Sequence, residues 1–272
     1  MTLTALSSTA LYRTALVTLT LALGACSSSP TGRSQLVLVS DSELNKMGVQ
    51  SFSTMKEEIK ISTDTKLTAS VQCVADQIIQ VLPDKYRDQQ WEVVLFDDPQ
   101  VNAFALPGYK IGVYTGLLTV AENQAQLAAV MGHEVGHVLA RHGNERVSTQ
   151  MATSQVLALG YKLSGEESAE NAAIFQAVGV GAQYGIILPF SRAHESEADL
   201  MGLDLMAKAG FDPRESAQLW RNMGAGGGKQ PSELLSTHPS HSTRIGDLTD
   251  NMAEPLAHYE NLVQQNQQAS CY

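Results

Sequence analysis

Apolar residues at Leu44, Met47, Phe52, Met55 and Ile59 fall on one helical face, and Ser40 with Glu43 three residues on forms a capping box ahead of them. Leu67, Val71, Val74, Ile78 and Leu82 repeat the spacing and predict a second amphipathic helix over 67–82. The pattern then changes. "WEVVLF" (91–96), "VNAFAL" (101–106) and "KIGVYTGLL" (110–118) read as strands, the last two joined by the turn "PGY". From residue 121 the periodicity is helical almost throughout: 121–142, 147–159, 167–188, 192–209 with Gly210 as its stop, and 213–223. A glycine-rich loop follows at 224–233, and the chain contains no internal repeat. One small sheet in a mainly helical chain predicts an α+β fold, without the alternating units of a doubly wound sheet.

The first hydrophobic run has another character. Arg13 precedes "TALVTLTLALGA", which stops at Cys26 and is shorter than the about 20 residues of a membrane-spanning helix. That order predicts a secretion signal over 1–25. The ending "LGAC" predicts cleavage before Cys26 and acylation of that cysteine, against a plainer reading of cleavage near Ala25 with a free thiol. Residues 26–39, with "SSSPTGRS" at 27–34, then read as a polar tether. The apolar stretch 172–190 reads as a buried helix interrupted by Gln176 and Gln183, with a membrane-dipping hairpin as the competing reading.

Composition narrows the partners. The chain has 28 Asp and Glu against 18 Lys and Arg, a net charge of -10. An acidic chain without a Lys/Arg cluster argues against nucleic acid, and against membrane adsorption by charge. If Cys26 carries lipid, Cys73 and Cys271 remain as an even pair in an oxidising compartment. They pair within one chain or, through the polar tail 261–272, between chains.

Candidate chemistry lies in "MGHEVGHVLARHGNE" (131–145). On a helix His133 and His137 share a face, as two imidazole ligands of one zinc ion require, and Glu134 lies within reach of a metal-bound water. A catalytic zinc needs a third protein ligand. The HExxHxxGxxH solution fails, because position 140 is alanine. "SRAHESEADLMG" (191–202) offers Glu195 as ligand, with Asp199 one turn on to hold the far nitrogen of a ligand histidine. Glu197 points off that face and reads as solvated; His142 and His194 read as surface or core hydrogen-bonding residues.

"TGRSQLVLVSDSE", "NAFALPGYKIGVYTGLL", "AAVMGHEVGHVLARHGNER", "SRAHESEADLMG" and "THPSHSTRI" together resemble the HtpX-like and CAAX prenyl protease family of zinc metallopeptidases, in its periplasmic lipoprotein branch. The stretches span most of 31–245. The resemblance implies a zincin-like metallopeptidase domain over 40–260, with a small mixed sheet whose edge strand borders the cleft. It implies one zinc ion on His133, His137 and Glu195, Glu134 as general base, and Asp199 behind a ligand. A peptide would add as a strand along Asn102, Ala103, Phe104 and Ala105, which supplies backbone hydrogen bonds with loose selectivity. His238 and Arg244 are candidate oxyanion donors, and the resemblance equally suggests His238 as a switch that fills the open metal position. One departure is Pro107-Gly108-Tyr109, where the family often has PGG. The branch implies an endopeptidase lipid-anchored at Cys26 to the periplasmic face of the outer membrane, removing misfolded or stalled envelope proteins near the outer-membrane protein assembly machinery. Ser27 and Ser28, in place of a retention Asp, favour that membrane. A chaperone or assembly factor with secondary proteolysis is the alternative.

Overall fold

The computed structural model describes residues 26–163, 188–225, 238 and 243–271. The signal at 1–25, nearly all of the apolar stretch 172–190 and most of the glycine-rich loop lie outside the described residues. In order, a short hairpin of β1 (Cys26–Ser28) and β2 (Ser34–Leu36) leads to α1 (Asp41–Glu58) and α2 (Thr65–Gln80). A single turn α3 (Asp84–Arg87) precedes β3 (Glu92–Phe96), β4 (Ala103–Leu106) and β5 (Lys110–Tyr114). The helices α4 (Gln124–Leu139), α5 (His142–Leu163), α6 (Leu188–Lys208), α7 (Arg214–Ala225), α8 (Arg244–Asp250) and α9 (Ala253–Gln264) complete the described chain. This is the mainly helical α+β architecture with a small mixed sheet. Among the described residues no helix is long and apolar enough to cross a membrane.

Caps set the first helices as their sequences require. The Ser40 hydroxyl accepts the Glu43 N–H at 3.2 Å, and Asp64 accepts those of Lys66 and Leu67. Each satisfies orphan donors of a first turn. Leu44 and Phe52 bury on α1, and Val71, Val74 and Ile78 on α2; Met47 and Leu67, expected on the same faces, are exposed.

Strand order is β3-β5-β4, with β3 parallel and β4 antiparallel to β5. A bridge from Ile61 to Phe96 shields part of the outer edge of β3. The outer edge of β4 faces α4. Phe104 of β4 lies across Gly112, where an added Cβ would sit 2.2 Å from its ring, and joins Phe52, Phe96 and Tyr114 in an aromatic cluster under α1. In the turn from β4 to β5, Gly108 and Tyr109 have φ of 85° and 64°. A left-handed tyrosine is disfavoured, and here its ring packs on Trp91 at 5.2 Å. The departure from PGG thus keeps the turn and adds an aromatic contact.

Two expected boundaries move. The tether is a hairpin docked on the body: Ser29 and Gln35 are buried, and Gln35 Nε2 donates to the Ala140 carbonyl. The helix drawn over 121–142 ends at Leu139. Arg141 takes φ 57°, and α5 starts at His142 instead of 147. At the far end, the segment after α9 is also docked. Ala269 N–H donates to Gly210, Cys271 N–H donates to Gln124, and Cys271 forms a disulfide with Cys73 within the chain.

The helices α4 and α6 cross closely in the core. A Cβ on Gly202 would lie 2.7 Å from the His133 backbone nitrogen, and one on Gly136 would lie 3.0 Å from the Ala198 carbonyl oxygen. Gly202→Ala is therefore expected to destabilise by about 1–3 kcal/mol, as overpacking does. Gly246→Ala on α8, where an added Cβ meets open space, is expected to stabilise by about 0.5–1 kcal/mol. Thermal unfolding of the two variants should move in opposite directions.

Candidate active site

That close crossing positions the site. His133, Glu134 and His137 lie in the buried half of α4, and Glu195 and Asp199 lie one turn apart on α6. His238 enters from the segment ahead of α8. Ligand atoms of His133, His137, Glu195 and His238 all lie within 4.8 Å of one another, and all four residues are buried. The Nε2 atoms of His133 and His137 are 3.1 Å apart and point to the same place. Four buried donors converging on one point suit a metal ion. Glu134 adds a second sign: its Oε1 is buried without a hydrogen-bond partner among the described residues, although His238 Nε2 is 3.3 Å away.

Both histidines of the HExxH helix have partners behind them. His133 Nδ1 is 2.9 Å from Asp199 Oδ1, and Arg244 donates to the same oxygen at 2.6 Å. Arg244 is buried, with its guanidinium 3.4 Å from the Trp220 ring centroid, a cation–π contact. Arg244, expected as an oxyanion donor, lies against Asp199 and His133, with its Nη1 3.6 Å from Glu195 Oε2. Trp220 was missed by sequence reasoning, having only the signal of a core residue on α7. His137 Nδ1 meets His142 Nδ1 at 2.8 Å, and His142 Nε2 meets Glu197 at 3.0 Å.

Glu197 is buried, which corrects its reading as solvated. Thr31 and Arg33 of the hairpin donate to it, and Arg33 also forms a two-pronged pair with Glu145 at 2.7 and 2.6 Å. His142 and His194 are core residues with stacked rings 4.3 Å apart, and His194 Nε2 is 3.0 Å from Glu145.

The electrostatics follow from burial and pairing. Burial and the Arg244 charge oppose protonation of His133, but Asp199 and Glu195 outweigh them and raise it to about 9. His137 is pushed well down by burial and by neighbouring His133, which leaves its lone pair available. Burial opposes ionisation of Glu195, yet His133 and His238 hold it well below the usual carboxylate range.

The expected edge strand borders this centre. Ala105 N–H donates to Glu134 Oε2 at 3.1 Å, so the outer edge of β4 meets the carboxylate beside the ligands. Ala103 and Asn102 are buried, Phe104 packs into the aromatic cluster, and the Asn102 carbonyl pairs with Tyr114. A pocket of about 110 Å³ adjoins Ala105 and His137, with Leu44, Tyr86, Pro107 and Val138 among its walls. Of the other expected residues, Cys26 opens β1 on the hairpin, and Cys73 and Cys271 lie away from the centre on α2 and the C-terminal segment.

An HExxH helix crossed by a glutamate-bearing helix, beside the edge strand of a small sheet, defines a zincin-like metallopeptidase domain. The chain belongs to peptidase family M48, whose profile matches residues 65–252. The metal of that family is zinc, and the two imidazoles and carboxylate present here fit it. Curated relatives include the mitochondrial metalloendopeptidase OMA1 of Schizosaccharomyces pombe, 38% identical over 61% of this chain, and that of Arabidopsis thaliana, 36% identical over 67%. The OMA1 of Saccharomyces cerevisiae is 32% identical over 63% of the chain. The matched parts span 48%, 38% and 50% of those proteins, so the chain corresponds to half of them or less.

These relatives overturn the expectation of a bacterial envelope protease lipid-anchored at Cys26 on the periplasmic face of the outer membrane. They are mitochondrial by name, whereas the compartment rested on a short apolar run ending at a cysteine, the serines after it and a resemblance to one branch of the family.

Glu145 makes a pH prediction. Burial opposes its ionisation, but Arg33 and His194 outweigh burial and lower it from 4.5 to about 2. A depressed carboxyl stabilises the fold fully above about 4.5 and loses that contribution as pH falls toward 2. Zinc-free protein should therefore lose thermal stability below pH 4.5, and Glu145→Gln should show a lower melting temperature at neutral pH with a shallower acid decline.

Proposed function

We propose that the chain is a zinc-dependent metalloendopeptidase that takes polypeptide as an added strand along β4. The observation that carries this reading is Glu134, set between the donor cluster and the edge strand β4, whose Ala105 N–H it accepts. His133, His137 and Glu195 would hold the ion. Zinc, when bound, polarises a carbonyl and lowers the pKa of its water.

The chain's own residues supply the rest. An extended peptide pairing with β4 takes the Ala105 N–H over from Glu134, which brings its backbone beside that carboxylate. There the strand edge gives hydrogen bonds that demand no particular side chains. The adjoining pocket, walled by Leu44, Pro107 and Val138 on one side and by Asp41 and Arg141 on another, is placed to take one substrate side chain. Glu134 Oε1, free of hydrogen bonds among the described residues, takes a proton from water and returns it to the leaving amine. Asp199 fixes His133 by accepting from Nδ1, and Arg244 offsets the negative charge of Asp199.

His238 is a latch in this reading. Its Nδ1 lies 3.1 Å from both oxygens of Glu195 and 3.3 Å from His133 Nε2, inside the ligand set and on the Glu134 side. A catalytic zinc keeps one position open, and an imidazole placed there closes it. Displacing His238 then becomes a condition for substrate to reach Glu134.

Glu134→Gln should retain about one zinc per chain and lose casein cleavage, because a base uses the bound water without holding the ion. His133→Ala should lose both, as metal analysis beside the assay will show. Cleavage by Glu134→Gln at the parental rate removes the mechanism. His238→Ala should cleave casein faster at unchanged zinc content. A slower rate assigns the residue to transition-state stabilisation and ends the latch.

A further inference from the structure

The two histidines of the HExxH helix are supported differently. His133 has a carboxylate directly behind it, since its Nδ1 is 2.9 Å from Asp199. Among the described residues, no carboxylate meets Nδ1 of His137. That nitrogen faces a third imidazole, His142, at 2.8 Å, and the carboxylate, Glu197, is one ring further on at 3.0 Å. With His137 offering Nε2 to a metal, its Nδ1 carries the proton and donates to His142 Nδ1. His142 must then carry its own proton on Nε2, which donates to Glu197. The relay is polarised in one direction and ends on the N-terminal hairpin, where Thr31 and Arg33 donate to Glu197 and Arg33 also clasps Glu145.

We propose that the β1–β2 hairpin is a positioning element for the metal site, acting on His137 through Arg33, Glu197 and His142. The proposal rests on the zinc site described above. Arg33 bridges two buried carboxylates, Glu145 and Glu197, and it comes from a segment more than a hundred residues away in sequence. Docking it fixes where Glu197 sits, Glu197 fixes the tautomer and tilt of His142, and His142 fixes the ring of His137. Partners behind a ligand histidine are worth about 10–100-fold in metal affinity. Coupling is reciprocal, so zinc must in turn tighten the hairpin on the body.

The test uses the full chain and zinc alone, read by competition with a chromophoric chelator. His142→Leu is expected to weaken zinc binding about 10–100-fold. His142→Gln, whose carbonyl can accept from His137 and whose amide can donate to Glu197, should recover much of that loss. Arg33→Met should weaken binding by a smaller factor in the same direction. Hydrogen exchange supplies the readout that a merely structural role would not move. Zinc should slow exchange at the Ser29, Gly32 and Arg33 amides in the parent and in His142→Gln, but not in His142→Leu.

His133→Ala separates the two possible failures. If it loses zinc while His142→Leu and Arg33→Met bind at parental affinity, the relay is overturned and the metal site stands. If it binds zinc like the parent, the site itself is misassigned and the relay falls with it. Equal zinc protection of the hairpin in His142→Leu and the parent also overturns the relay, whatever the affinities.

Discussion

Everything at the centre of this molecule depends on how closely α4 and α6 approach. Candidate ligands from these two helices converge across a crossing where the backbones come nearer than most side chains allow. Gly132 and Gly136 on α4 meet Gly202 and Ala198 on α6, so no bulky side chain separates the backbones at the crossing. The same turns carry the chemistry. Gly132 precedes His133, Gly136 precedes His137, and Ala198 precedes Asp199. Small residues beside ligating ones are thus the packing condition for the ligand geometry.

Burying so many ionisable groups has an electrostatic consequence. Glu134, Glu195 and Asp199 lie in one buried cluster with Arg244 as its fixed cation. Asp199 and Glu195 favour a proton on His133 and raise it to about 9, against burial and the Arg244 charge. A bound metal would supply that charge and displace the proton, so binding and proton release are linked. Arg244 tolerates this crowded place because its charge is shared with Asp199 and its flat face rests on Trp220. An unpaired charge at that depth would cost several kcal/mol, on the order of 3–5.

The two ends of the described chain both tie down the helices that carry the site. The hairpin closes over the start of α5 and the middle of α6 through Arg33 and Gln35. The C-terminal segment ties α2, the start of α4 and the end of α6 through Cys271 and Ala269.

The sequence by itself determined what depends on local spacing. Amphipathic periods placed α1 and α2, the changed pattern at 91–118 placed the three-stranded sheet, and helical geometry put His133 with His137 and Glu195 with Asp199. Tertiary structure decided what depends on distant partners. Glu197 reads as solvated until Arg33, 164 residues away, is folded against it. His142 reads as the tail of one long helix, but the left-handed Arg141 ends that helix and turns the imidazole back toward His137. The hairpin has strands of three residues, too short to show alternation, and its polar side chains gain meaning only from the buried carboxylates they meet. Spacing along a helix is a property of neighbours in the chain, whereas pairing of a buried charge is a property of neighbours in space, and only the folded chain brings those together.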